Sequence, residues 1–239
     1  MATLVARPLR MRTDDYFFTA MSLLILGTVF VGFAHTYYLA GTVHTRLPNI
    51  LVHIHGAIFS CWILLLIAQT TLVSAGKVGW HKKLGILGAV LACLMVIFGV
   101  LLIVDTIRRH HIPPSLTPGI LLALDLGQLS VFSVLVAWGV RVRRQGAAHK
   151  RLMLLSTIAI LFPAVARWPF SFIRTFLQVG LIIDGFLLCM IVFDLLTRRR
   201  IHRVTIWGSL MIFVMVPAVF ALGRAVFWVR FTDWVQQYH

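Results

Sequence analysis

Long apolar runs separated by short basic or proline-containing stretches set the plan of the chain. Several runs exceed the roughly 18 apolar residues that mark a membrane-spanning helix. Seven spans can be drawn, at about 15–40, 47–76, 86–109, 119–142, 151–172, 174–197 and 204–231. Pro48 opens the second. "HIPPSLTPG" separates the third from the fourth, and "RRQGAAHKR" the fourth from the fifth. Between the fifth and sixth, "ARWPFSFIRTF" offers no polar loop, and Trp168, Pro169 and Arg174 suggest a turn within the headgroup layer. Short loops make sequential helices antiparallel neighbours. The expectation is an all-α integral membrane bundle of seven transmembrane helices, with residues 1–239 as a single domain.

Composition agrees. The chain is 60% hydrophobic and only 12% charged, against about 25% charged in a typical soluble domain. Mean hydropathy is +0.94. The formal net charge of +15 would suggest nucleic acid in a soluble protein. Here the basic residues fall in short loops, where they orient a membrane protein, so the expected partner is the lipid bilayer and not nucleic acid. With the amino terminus inside, the inner segments hold Arg7, Arg10, Arg12, Lys77, Lys82, Lys83, Arg141, Arg143, Arg144, Lys150, Arg151, Arg198, Arg199, Arg200 and Arg203. Those are most of the 22 Lys and Arg, so the positive-inside rule favours N-in, C-out in a bacterial cytoplasmic membrane. No A-x-A-like cleavage site follows the basic start, so the first span reads as retained. Cys61, Cys93 and Cys189 stand singly inside spans, which argues against a disulfide or a Cys-based zinc site.

The chemistry-bearing residues collect in the outer half. His35 sits late in the first span, and His53 and His55 early in the second, at similar depth. Asp105, Asp125, Gln128, Arg167, Gln178 and Arg224 share that half, with Asp184 nearer the middle. Charges at membrane depth are costly, about 2.5–3.5 kcal/mol each on insertion scales, and usually face inward in pairs. At least one buried ion pair is therefore expected among Arg167, Arg224, Asp125 and Asp184. His53 and His55 are two residues apart, which separates them by about 200° on a helix. Asn49, Gly56, Ala57 and Ser60 make the His53 side small, so His53 is expected to face the bundle and His55 an aromatic wall, another helix or the headgroups.

Three roles suit these histidines. One is axial ligation of a haem b by His35 and His53, with His55, Arg167 and Gln128 around the cofactor and Arg167 pairing a propionate or a quinone oxygen. Another is a transition-metal site of His35, His53 and Asp125. The third is hydrogen bonding within a polar core, or contact with headgroups. His44, His110 and His111 read as a solvated outer rim. At the other face, "WHKKLGILG", "AHKRLMLLS" and "IHRVTIWGS" each place a His before a span: His81, His149 and His202. They read as interfacial anchors, or as a second, inner cofactor or quinone site with His81 and His149 among its walls.

Two stretches, "LVHIHGAIFSCWILLLIAQTTLVSAGKVGWHKKLG" and "AAHKRLMLLSTIAILFPAVAR", resemble a widespread group of uncharacterised bacterial multi-span membrane proteins. A fainter likeness is to transmembrane cytochrome b and ferric-reductase-like domains, which have "H-[RK]-x-L-G" at a helix start, as His81 to Gly85 do here. That likeness implies haem held by His pairs on adjacent helices. No helix here carries two His on one face separated by the depth of the bilayer, so it does not extend to a stacked pair of haems. The leading expectation is a membrane oxidoreductase or electron carrier with a membrane redox partner. The alternatives are a transporter or small-molecule binder with an outward-facing polar cavity, an accessory subunit of a larger complex, and a metal-dependent intramembrane hydrolase. For the hydrolase, the absence of Glu leaves Asp or His as the base.

Overall fold

A computed structural model describes residues 13–42, 49–113, 115–170, 173 and 175–237. Arg7, Arg10, Arg12, His44, Pro48 and Arg174 lie outside the described residues. The elements are α1 (Thr13–Phe33), continued by a π-helical turn (Ala34–Tyr38), α2 (Ile50–Ser74), α3 (Val78–Arg108), α4 (Pro118–Arg141), α5 (Gly146–Ala159), α6 (Phe162–Val165), α7 (Phe176–Arg198), α8 (Arg203–Gly223) and α9 (Val226–Gln237). Several starts are written in the sequence. The Asn49 side chain accepts the Val52 amide at 2.9 Å. Thr117 caps α4, whose first turn holds Pro118. Thr175 and Gln178 form a reciprocal capping box on α7.

Six helices are long and apolar enough to cross a membrane: Thr13–Tyr38, Ile50–Ser74, Val78–Arg108, Pro118–Arg141, Phe176–Arg198 and Arg203–Gly223. Their outward faces are large apolar side chains such as Ile86, Leu177, Leu181 and Leu196. Lipid accepts such faces, and the chain is a multi-pass integral membrane protein.

The stretch expected as a fifth span, 151–172, is not one helix. Pro163 has no N–H to offer the Ala159 carbonyl, and α5 ends at Ala159. At 14 residues, α5 is about 21 Å long, short of the roughly 30 Å hydrocarbon core. A turn and the four-residue α6 complete the path. It begins beside Asp14, which bonds Lys150. It ends against Gly32 late in α1, where an added Cβ would lie 2.1 Å from the Ala164 carbonyl oxygen.

This broken segment is the centre of the bundle. Ala148, Arg151, Leu152 and every residue from Leu154 to Ala159 are buried, against α1, α4, α7 and α8. Arg151 and Asp194 form an ion pair in which each side chain is 1% exposed. Arg151 Nε donates to Asp194 Oδ1 at 2.9 Å and Oδ2 at 3.3 Å, and Nη2 also bonds Oδ1. Nη1 donates to the Ala147 carbonyl at 2.8 Å. Asp194 Oδ2 further accepts from Thr205 Oγ1 at 2.7 Å and the His202 amide at 3.0 Å. Three helices thus share one carboxylate. From α1, Phe18 places its ring near the Arg151 guanidinium, and Phe17 stacks on Phe193 at 3.8 Å.

The sequence reading assigned the buried pairs elsewhere. Among the described residues, Arg167, Arg224, Asp125 and Asp184 form no ion pair. Arg224 is exposed at the end of α8. The last expected span, 204–231, also divides. The end of α8 crosses the start of α4 backbone to backbone, so that a Cβ on Gly119 would lie 2.6 Å from the Gly223 carbonyl oxygen. The chain turns there, and α9 packs on α3 and α4 while Trp228 Nε1 donates to the Gly119 carbonyl at 2.9 Å. Phe227, Phe231 and Trp234 on α9 are exposed, as on a helix lying in a membrane interface.

Replacing Arg151 with Met strands the Asp194 carboxylate. The expected cost is about 3–5 kcal/mol, read as a fall in the thermal midpoint of the purified protein. Arg151→Met combined with Asp194→Leu is expected to recover most of that loss, and equal losses in both would count against the pair. Gly32→Ala is expected to cost about 1–3 kcal/mol by overpacking. Gly27→Ala, with nothing within 4 Å of its added Cβ, is the neutral control in the same melts.

Candidate functional site

Polar groups gather at two places, one at each end of the bundle. The far end holds the late part of α1 and the start of α2. His35 lies exposed in the π-helical turn, and His53 is exposed on α2. The small face of α2 receives two tyrosines. The Tyr37 ring stands where a Gly56 Cβ would be, 2.6 Å away, and its hydroxyl donates to the His53 carbonyl at 3.1 Å. Tyr38 shares a 2.8 Å hydrogen bond with Ser60. The expected inward turn of His53 is therefore reversed. His55 is the half-buried one, stacked on Phe59 at 4.0 Å, with Nδ1 sealed from solvent and the ring close to the Phe98 backbone. The aromatic wall expected for His55 is Phe59.

Arg167, just past α6, is held by a 2.8 Å bond from Nη1 to the Pro163 carbonyl and lies over the Phe33 ring at 5.0 Å. It is near enough to act electrostatically on both His55 and Asp125, and it forms no ion pair with Asp125. Gln128, one turn beyond Asp125 on α4, donates weakly to the Leu124 carbonyl at 3.4 Å and leaves Oε1 buried without a partner. His55, Asp125, Gln128 and Arg167 thus supply the polar groups of the far end. Among the described residues no three His, Cys, Asp or Glu side chains converge as a metal ion requires, so His35, His53 and Asp125 do not form such a group. Asp105 is spent locally, accepting from Arg109 Nε at 2.7 Å and Asn49 Nδ2 at 3.3 Å. Gln178 serves the α7 cap, and Asp184 lines a separate groove.

At the amino-terminal end of the bundle, α3 and α5 both begin with a histidine in their first turns. His81 and His149 meet there, with ring centres 6.2 Å apart and planes at 83°. His149 Nδ1 lies 2.9 Å from the Gly139 carbonyl on α4. A carbonyl can only accept, so Nδ1 carries the hydrogen and Nε2 presents its lone pair. This is the arrangement by which proteins orient an imidazole as a ligand. His81 keeps Nδ1 buried and unpartnered. Gln69 on α2, whose backbone approaches His81, leaves Oε1 equally sealed and unpartnered. Among the described residues, His81 Nδ1 and Gln69 Oε1 thus lack hydrogen-bond partners in one small cluster. It suits a metal centre with two imidazole ligands, or a molecule bringing hydrogen-bond donors.

His202 parts company with this pair. Its Nδ1 accepts the Val204 amide at 3.2 Å and caps α8, while its own amide serves Asp194. The three repeated histidines therefore divide into two that face each other and one that is structural. Sequence reading missed Asp194, Thr205 and Gln69. No family model matches the chain, and no curated protein or solved structure matches it.

Burial, and then the Arg151 and Arg198 charges, hold the His202 imidazole below its ordinary value, with Asp194 pulling the other way. The unfolded chain then binds the proton more readily, so stability rises with pH through the window below about 6.5. The His202 contribution is complete above that value and is lost as the pH falls toward the lowered folded value. His202→Asn keeps an N-cap acceptor without titrating. Its thermal midpoint is expected to depend less on pH than that of the wild type between pH 7.5 and 5. Parallel curves would contradict the assignment.

Proposed function

We propose that this multi-pass membrane protein carries one b-type haem between His81 and His149 and passes single electrons between partners in the membrane. The observation that carries the reading is the spacing of the two rings. His81 and His149 come from different helices, with ring centres 6.2 Å apart and planes at 83°, and would together hold the group. Two histidines would suffice to hold a haem, whereas a lone metal ion needs more protein ligands than converge among the described residues. The Gly139 carbonyl fixes the His149 tautomer and raises its basicity as a ligand. Lys82 and Lys83, exposed beside His81, would offer cations to the carboxylates of such a group. With the amino terminus inside, the histidine pair would lie at the cytoplasmic face, and a haem held there would supply one-electron chemistry toward a membrane redox partner.

A second reading concerns the far end. Asp125 and Arg167 act on each other electrostatically without forming an ion pair, and Gln128 Oε1 is buried with no partner among the described residues. That arrangement favours an outward-facing cavity for a small polar molecule, in a binder or transporter.

An absorption spectrum separates the two. Protein purified from haem-replete cells, or titrated with hemin, is expected to show a Soret band that shifts on reduction. His81→Ala and His149→Ala should each abolish the six-coordinate spectrum, while His35→Ala, His53→Ala and Arg167→Ala should leave it intact. A protein that stays colourless after hemin titration overturns the haem and leaves the far-end polar groups as the working site.

A further inference from the structure

Along the first part of α7, a groove of about 310 Å³ opens between α7 and α8, floored by the end of α5 and by α6. Its exposed rims, Leu177, Leu181 and Phe213, face outward, so it opens toward lipid. Asp184 is the single polar side chain among the lining residues. It makes no hydrogen bond or ion pair among the described residues. An unpaired carboxyl at membrane depth is costly and marks a functional position by default.

The surroundings narrow what it could serve. Phe162, Phe176, Phe213 and Phe220 all line the groove. Phe162 and Phe176 stack at 5.6 Å, and Phe220 meets Phe176 edge-on at 5.6 Å. Aromatic faces attract organic cations. Pro217, also in the lining, lies inside α8. It has no N–H, so the Phe213 carbonyl four residues earlier lacks its usual helical donor. A carboxylate and four phenyl rings suit an ammonium group with apolar substituents. Hydrated metal ions are a poor fit, because they require six or more oxygen ligands. A lipid ammonium headgroup is also a poor fit, because Asp184 lies about 12 Å along α7 from its start, well below the surface.

We propose that this groove is a membrane-accessible binding site for lipophilic amines in their protonated form, with Asp184 as counter-ion and the phenylalanines as walls. The site is separate from the histidine pair and does not depend on a haem. Gly180 lines the groove with nothing within 4 Å of an added Cβ, so a larger side chain there would fill the space without displacing packed neighbours.

The test uses the full chain in lipid nanodiscs and radiolabelled imipramine, a protonated tricyclic amine, with binding to empty nanodiscs subtracted. Saturable binding at one site per chain is expected. Asp184→Asn should weaken it by at least about tenfold, as loss of a desolvated charge contact does, and Asp184→Glu should retain it. The uncharged tricycle iminodibenzyl should bind wild type and Asp184→Asn alike. Gly180→Leu should block both compounds, and it decides the matter if Asp184→Asn does not fold. Absence of saturable imipramine binding, equal affinity in Asp184→Asn, or undiminished binding in Gly180→Leu overturns the proposal.

Discussion

A guanidinium and a carboxylate sealed from both water and lipid set the terms for the rest of this bundle. Burying either charge alone would cost several kcal/mol. Together, Arg151 and Asp194 are tolerated because nearly every polar position around them is used: Asp194 takes bonds from Arg151, Thr205 and the His202 amide, and Arg151 turns its remaining arm to Ala147. Such a network is rigid, since moving any one helix strands a charge. It fixes the start of α5 against the end of α7 and the start of α8. Phe17 and Phe18 bring α1 into the same place.

That constraint explains how a 14-residue helix occupies the middle of a membrane bundle. α5 is too short to span, and Pro163 prevents its extension. The lock holds one end, and the close approach of Ala164 to Gly32 holds the other. His149 lies two residues before Arg151 on the same anchored turn. Its position opposite His81 follows from the lock, and the Gly139 bond then sets which nitrogen is offered. Stability and candidate chemistry at this end rest on the same few residues. The far end is looser. Arg167 and Asp125 form no ion pair there, and Gln128 Oε1 is left without a partner among the described residues.

Much of the architecture was legible in hydropathy. The boundaries of α2, α4 and α7 follow the apolar runs, and their caps are visible as Asn49, Thr117 and Thr175. What hydropathy misjudged has local causes. A run that includes Pro163 reads as one span because window averages do not register a missing N–H. The end of α8 depends on a contact between Gly119 and Gly223, more than a hundred residues apart in sequence. Arg151 follows "AHK" and counts as a loop cation. Yet it stands on one helical stripe with Ala148, Leu152 and Leu155, all buried, and that periodicity was available. The orientation of His53 and His55 turned on Tyr37 and Tyr38, which fill the face that small residues had left open. The meeting of His81 with His149 is tertiary information, although the repeated His–basic pattern at the helix starts pointed to both.

Hydrogen exchange of the α5 amides, followed by mass spectrometry in nanodiscs, tests the lock most directly. In the wild type, peptides covering residues 146–159 should rank among the slowest to exchange, and Arg151→Met should speed them while leaving peptides from the middle of α2 and α3 unchanged. Exchange in α5 that is fast in the wild type, or that does not respond to Arg151→Met, would contradict a bundle organised around the buried Arg151–Asp194 pair.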